Sequence, residues 1–315
     1  MSVRETTASV SLGADVLTMV LRELRFESAA YRWLELGAPF RLGFDQPEIR
    51  GVHIVAEGDC ELVLPGGAVE PLSPGDLVIF PRGGAHEIRS AGADGPLLSG
   101  SVLPLRTPGA RLQAGGTGAT TVLVCGAFVV REPRHPALRG LPEQIRVPGA
   151  DGRPAPWLAP YVDALRIEAF QGGRGSELIM SRISDALLVR ALRHHGDTVD
   201  RPGWLFGLRD PYVAAALKAM HDDPARSWTL AGLAAAVGLS RATFAARFTN
   251  RVGEPVMRYL LSLRMQQART MLRDERSTVA SVATRVGYNS DVAFAAAFKR
   301  EVGTAPGAYR RAATR

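Results

Sequence analysis

Cysteine is scarce: Cys60 and Cys125 are the only two in 315 residues. Two thiols cannot staple a scaffold, and with no Cys-x-x-Cys pair or Cys/His cluster they exclude a zinc finger and an iron–sulfur site. Long apolar runs are missing too. No stretch of about 18 apolar residues exists, so no helix is expected to span a membrane. The opening residues, MSVRETTASVSLGADVL, carry two acidic groups and no apolar core segment. A secretory signal is therefore not expected, and the cytoplasm is the expected compartment. Apolar residues at 46% and charged residues at 22% argue against disorder, collagen or a low-complexity fibre. At about 100–200 residues per domain, the length suggests two domains or three.

Positive charge is present, and its position is informative. From Trp204 onward there are 17 Lys and Arg against 8 Asp and Glu, a net of +9. The preceding part holds 21 against 23, a net of −2, so all of the +7 excess lies in the last third. A basic domain joined to a neutral one suits a nucleic-acid partner, although an Arg-rich solvated helical surface would give the same numbers.

Residues 14–26 place Val16, Leu17, Val20, Leu21 and Leu24 at helical spacing. From about 30 to 130, short apolar or alternating runs (GVHIVAEG, CELVLPGG, GDLVIFPRGG, TTVLVCGAFVV) are bounded by Gly and Pro. That pattern predicts a sandwich or barrel of short strands. A Pro- and Gly-rich connection at 133–158 follows, then helices over 157–170 and 176–195, with Ser176 as N-cap and Gly196 as stop. The apolar stripe of the second helix would serve either a subunit contact or its own barrel. HGDTVDRPG, 195–203, reads as a linker.

After Trp204 the chain reads as all-helical and contains a repeat. LAAAVGLSRATFAARF (233–248) matches VATRVGYNSDVAFAAAF (282–298). In each copy a short apolar helix (Leu233, Ala234, Val237; Val282, Ala283, Val286) ends at a glycine, Gly238 or Gly287. One residue plugs the turn (Leu239; Tyr288), and a serine, Ser240 or Ser290, is placed to cap the next helix. That helix packs through an i, i+4 aromatic pair, Phe244/Phe248 or Phe294/Phe298. The unit is a helix-turn-helix, whose second helix presents its outer face to the DNA major groove. The stretch 258–273 predicts a stiff connecting helix, long enough to set two readers about one DNA turn, roughly 34 Å, apart.

VASVATRVGYNSDVAFAAAFKREVGTAPGAYRR carries an Ala, Gly-aromatic-x-Ser, a Phe, Phe-Lys-Arg, a Gly, a Pro and Tyr-Arg in order. On these residues the segment of about 210–311 resembles the AraC/XylS family of transcriptional regulators. The resemblance implies recognition helices over Ser240–Arg247 and Ser290–Arg300. Its implied DNA-facing residues are Ser240, Arg241, Ala242, Thr243, Ala245, Ala246 and Arg247 in the first copy. In the second they are Ser290, Asp291, Val292, Ala293, Ala295, Ala296, Lys299 and Arg300. Family members often carry Arg, Gln or Thr at several of these positions. Alanine touches only a thymine methyl, so direct readout is expected to be sparse, with DNA shape and Arg241, Thr243 and Arg247 supplying the rest. Lys299, Arg300, Arg264 and Arg310 suit phosphate contacts or local structure.

GDLVIFPRGGAH (75–86) spaces Gly75, Pro81, Gly83 and His86 as in the second motif of cupins, which are double-sheet β-barrels. With CGAFVV, RHPALRGLP and the stretch DPYVAAALKAMHDDPARSWTLAGLA, the N-terminal part resembles the cupin-type sensor of one AraC subgroup. Catalytic cupins carry a His-x-His and a Glu in the first motif. Here those positions fall near Asp45–Pro47 and Gly51, so the usual set is missing. His53, His86 and Cys125 remain as a His2Cys set suited to a divalent transition metal, or as ordinary core residues. Cys60 and Cys125 are the redox candidates, and Cys60, after a Gly-Asp turn, would be the accessible one.

The expected architecture is α+β: a cupin-like jelly-roll barrel over 1–150, a helical linker or dimerisation segment over 151–203, and a double helix-turn-helix domain over 204–315. The expected function is a one-component, sequence-specific transcriptional regulator, activator or repressor, and not an enzyme. Promoter DNA, a small-molecule or redox effector, a homodimer and, for an activator, RNA polymerase are the expected partners, with no membrane. The alternatives are a cupin metalloenzyme with a helical appendage and a low-specificity DNA-binding protein.

Overall fold

The structure is a computed structural model that describes residues 15–24, 26–46, 49–94, 96–99, 111–130, 132, 135–274 and 277–313. It divides into two compact units. One comprises Leu24–Arg209 with Arg251–Gly253. The other comprises Asp210–Asn250 and Glu254–Arg315 with the N-terminal stretch up to Glu23, which holds nearly all of helix α1 (Val16–Leu24).

The first unit is a two-sheet barrel. Its strands are β1 (Phe26–Gly37), β2 (Arg41–Phe44), β3 (Arg50–Glu57), β4 (Cys60–Val63), β5 (Val69–Leu72), β6 (Leu77–Ile79), β7 (His86–Arg89), β8 (Leu98–Ser99), β9 (Arg111–Gly115) and β10 (Thr120–Val130). Helix α2 (Pro136–Arg139), strand β11 (Ile145–Val147), helix α3 (Ala159–Gln171), helix α4 (Ser176–Thr198) and the short α5 (Trp204–Gly207) follow. The sheets run β11-β6-β3-β10-β1-β9 and β5-β4-β7-β2-β8. Leu34, Leu36, Phe40, Leu42, Val55, Leu62, Leu72, Val78, Phe80, Ile88 and Leu123 fill the space between them, together with both cysteines.

The covering helices explain two strand patterns. β4 and β7 alternate buried and half-buried residues, as a sheet with one wet face does. β3 and β10 are buried almost continuously. They belong to the sheet whose β1 carries α3 and α4 on its outer side.

Helix α4 thus uses its inner stripe on its own barrel: Met180, Ser184, Leu187, Leu188, Ala191 and Leu192 are buried. Leu178 and Ile179 stay exposed, as do Ile167 and Phe170 of α3. Two expected boundaries shift. The cap of α4 is Gly175, at φ 88°, and Ser176 instead donates its hydroxyl to the Glu168 carboxylate at 2.6 Å. Gly196 does not stop the helix, which runs to Thr198. Gly196 is buried there, and a methyl in its place would only reach van der Waals contact with Leu205.

The second unit is all-helical: α6 (Pro211–Asp222), α7 (Leu230–Ala236), α8 (Arg241–Val252), α9 (Val256–Leu272), α10 (Val279–Arg285), α11 (Asp291–Val302) and α12 (Pro306–Ala313). The turns after α7 and α10 use Gly238 at φ 72° and Gly287 at φ 82°, the left-handed region that glycine enters without penalty. Long α9 is buried along most of its length and packs against α10, α11 and α12. His221 ends α6 as a buried residue bonded to the Tyr259 hydroxyl at 2.8 Å.

Candidate functional site

Each helix-turn-helix is built by the same local chemistry. Thr229 and Thr278 accept the amides of Gly232 and Ser281 at the starts of α7 and α10. Ser240 and Ser290 accept those of Thr243 at 3.2 Å and Ala293 at 3.3 Å at the starts of α8 and α11. The two serine side chains are therefore engaged as helix caps. The aromatic pairs turn inward, with centroids 5.8 Å apart for Phe244/Phe248 and 5.6 Å for Phe294/Phe298. Outward, α8 exposes Arg241, Ala242, Thr243 and Ala246, and α11 exposes Asp291, Val292, Ala293, Ala296, Lys299 and Arg300. Ala245 and Ala295 lie on the flanks, half-buried.

Three arginines are committed elsewhere. Arg247 donates Nε to the buried Asp210 carboxylate at 2.6 Å and lies 4.8 Å from the Tyr212 ring centroid. Burial would raise the Asp210 carboxyl, but Arg247 and the backbone amides of Val213 and Tyr212 outweigh it and hold it below its ordinary value. Asp210 is also the N-cap of α6. The expected reader Arg247 thus fastens α8 to the start of α6. Arg264 donates to the carbonyls of Pro224 and Arg226, both at 2.8 Å, and Arg310 to that of Ser277 at 2.9 Å. Of the two roles expected for these two, local structure is the one seen.

In the barrel, His53, His86 and Cys125 do come together. His53 on β3 stands directly opposite Cys125 on β10, and His86 opens β7 in the facing sheet. His53 Nδ1 is 3.2 Å from Cys125 Sγ, His53 Nε2 is 2.8 Å from His86 Nε2, and His86 Nδ1 is 2.9 Å from the Gly84 carbonyl. Burial lowers both histidines, His86 to about 4, so the pair is neutral at pH 7. The protons are then assigned in sequence. A carbonyl only accepts, so His86 donates from Nδ1 and accepts at Nε2. His53 donates from Nε2 and accepts at Nδ1, and the Cys125 thiol donates to it. Phe80 and Phe44 stack on the two sides of His86, with centroids at 3.8 and 4.9 Å.

This is a chain of hydrogen bonds, with His53 in the middle and one ring nitrogen turned to each neighbour. The three donors do not converge on a point, and they do not fit a mononuclear metal centre as placed. Among the described residues, no group of three or more His, Cys, Asp and Glu is arranged to hold a metal ion. Gly51, where a catalytic cupin would have its glutamate, admits the pair instead: a Cβ there would lie 2.7 Å from His53 Nε2. That requirement was readable only as an absence, a glycine in the wrong place. Both cysteines are buried, so the expected exposure of Cys60 is corrected: it points between the sheets from β4. Burial, then Asp59, Asp76 and Glu61, pushes its thiol up to about 12, and burial raises Cys125 as well. Neither is a ready thiolate at neutral pH.

With this geometry in view, the matches to known proteins are specific. Residues 15–197 match a cupin family model, and residues 233–312 match a helix-turn-helix domain model. The chain is 35% identical to a putative AraC-like transcription regulator of Streptomyces lividans, over 94% of this chain and 98% of that one. The chain belongs to the AraC family of transcription regulators. It is also 28% identical to the HTH-type transcriptional regulator AlkR of Acinetobacter baylyi, over 94% of this chain and 99% of that one. Among solved structures it is similar to the DNA-binding domain of AdpA in complex with a target DNA: 33% identity, 33% of this chain and 92% of that one covered, TM-score 0.31. The regulator is not an enzyme. Its helix-turn-helix domain binds DNA, and its cupin domain suggests ligand sensing. No described helix is long and apolar enough to cross a membrane.

Proposed function

We propose that this AraC-family regulator reads a promoter with two surfaces of unequal chemistry, one on α8 and one on α11. The observation that carries this is the pair of identically capped helices whose inner aromatics leave one outer face free in each. In the first, Arg241 and Thr243 supply donors and acceptors to base edges. In the second, Asp291 can accept from cytosine N4, while Lys299 and Arg300, exposed at the far end of α11, meet phosphates. Ala242, Ala246, Ala293 and Ala296 allow close approach. Arg247, Ser240 and Ser290 act by holding these helices in place.

The cupin unit of Leu24–Arg209, which takes in the expected 151–203 segment and the expected 1–150 sensor from Leu24 onward, is the effector-responsive part. An effector would act by favouring one of two arrangements. The exposed Ile167, Phe170, Leu178 and Ile179 support a homodimer, to be checked by sedimentation. RNA polymerase is the further partner of an activator, and the cytoplasm is the working compartment.

The test is selection of sheared genomic DNA on the purified full-length protein at about 0.15 M salt, a physiological ionic strength. Discrete peaks sharing two half-elements about one turn apart are expected. They should bind at least about 10³ times more tightly than random DNA. A featureless profile, with and without cell extract, would sink the reading.

A further inference from the structure

We propose that Val292 is a specificity-determining residue that reads the C5-methyl group of a pyrimidine in the major groove. The inference rests on the reading that α11 enters that groove. Val292 is 80% exposed, more than any other large apolar side chain among the described residues. A lone exposed apolar residue is ordinary on a protein surface. The surroundings set this one apart. It stands in the first turn of α11, the part of a recognition helix that meets base edges. Ala293 and Ala296 are exposed beside it, and Ala296, at i+4, lies on the same side of the helix. Together the three form a patch of methyl groups with no hydrogen-bonding atom.

The flanks also limit the chemistry. Ser290 is occupied as the cap, and Asp291 can accept but not donate to bases. No arginine, lysine, asparagine or glutamine stands on α11 before Lys299. Val292 itself offers a guanine or adenine edge no hydrogen-bonding partner. The one apolar group on the major-groove edge of the four bases is the thymine C5-methyl. Methylated cytosine carries the same group, and the experiment separates the two sources.

The full-length protein is titrated with one of its selected genomic sites, in which each thymine is replaced in turn by deoxyuridine, which lacks only that methyl. One position under the second half-element is expected to lose affinity about fourfold, the factor for one methyl returned to water. Val292→Ala is expected to lose about as much on the intact site and to become indifferent to uracil at that position. Its melting temperature should be unchanged, because the side chain touches little of its own protein. At the same position, 5-methylcytosine binding more tightly than cytosine would add methylated cytosine as a second source. Equal binding would leave thymine as the one methyl read. An equal uracil penalty in wild type and Val292→Ala, or no sensitive position, overturns the proposal while leaving DNA binding intact. If the wild-type protein selects no site at all, the underlying reading of α11 fails with it.

Discussion

The two helix-turn-helix copies are alike inside and unlike outside. Phe248 meets Tyr259 edge-on at 5.9 Å, and Phe298 meets Tyr309 at 5.6 Å, so each copy closes its core with a tyrosine from the following helix. At the start of the two helices the outer faces carry opposite charges at the same position, Arg241 in the first copy and Asp291 in the second. The first copy offers Arg241 and Thr243, and the second offers Asp291, Val292, Lys299 and Arg300. Their anchoring differs as well. The first is tied by an ion pair to α6. The second is tied by close packing at its turn, where a Cβ on Gly287 would fall 2.3 Å from the Ala225 carbonyl, whereas Gly238 faces open space. Duplication preserved what folding needs and released what recognition uses, because the inner residues answer to one another and the outer ones only to a ligand.

The largest effects should confirm the likeness. Phe248→Ala and Phe298→Ala each remove a fully buried ring and should each cost about 3–5 kcal/mol in denaturant unfolding. A gap of more than about 2 kcal/mol between them would show that the cores are not equivalent.

The turns should separate the copies. Gly238→Ala meets only the left-handed backbone penalty, about 1–2 kcal/mol. Gly287→Ala adds a backbone clash and should cost about 3 kcal/mol or more. Equal melting-temperature losses would remove this distinction.

The ion pair should sharpen the contrast through pH. Arg247→Met leaves the Asp210 carboxylate without its guanidinium and should cost about 1–2 kcal/mol near pH 7, the cost being moderated because Arg247 is partly exposed. The folded Asp210 carboxyl lies below its unfolded value of about 3.9, so the stabilisation is complete well above pH 4. It is lost as pH falls through the folded value. The difference between wild type and variant should shrink on acidification from about pH 5 downward, and a constant difference would show that the pair contributes by packing alone.

On the outer faces the effects should fall on DNA binding and leave folding untouched. Lys299→Ala should lower the slope of log affinity against log salt by about 1 with little change in sequence preference, as a lost phosphate contact does. Arg241→Ala should instead weaken selected sites by about 1–3 kcal/mol more than random ones. The reverse result would exchange their roles.

Much of this was legible in the chain because it is local. Caps, turn glycines and the i, i+4 aromatic pairs involve residues within a few positions of each other, so the repeat could be read directly. The barrel strands were legible from short runs bounded by turn residues. What escaped has partners far away. Arg247 reads as a groove residue until Asp210, 37 residues earlier, is seen to hold it. Cys60 reads as exposed after its turn until the register of β4 points it between the sheets. Gly196 reads as a stop, but a helix can pass through a buried glycine that its neighbours hold.

The barrel cluster marks the boundary most clearly. By itself the sequence determined that His53, His86 and Cys125 lie on separate strands of one barrel and lack the glutamate of catalytic cupins, because motif spacing and strand pattern are properties of short segments. Only the tertiary structure decided that they form a relay of hydrogen bonds rather than a converging set. That depends on the register of β3 against β10, on the approach of the two sheets, and on the space left by Gly51, and none of these is a property of any one segment.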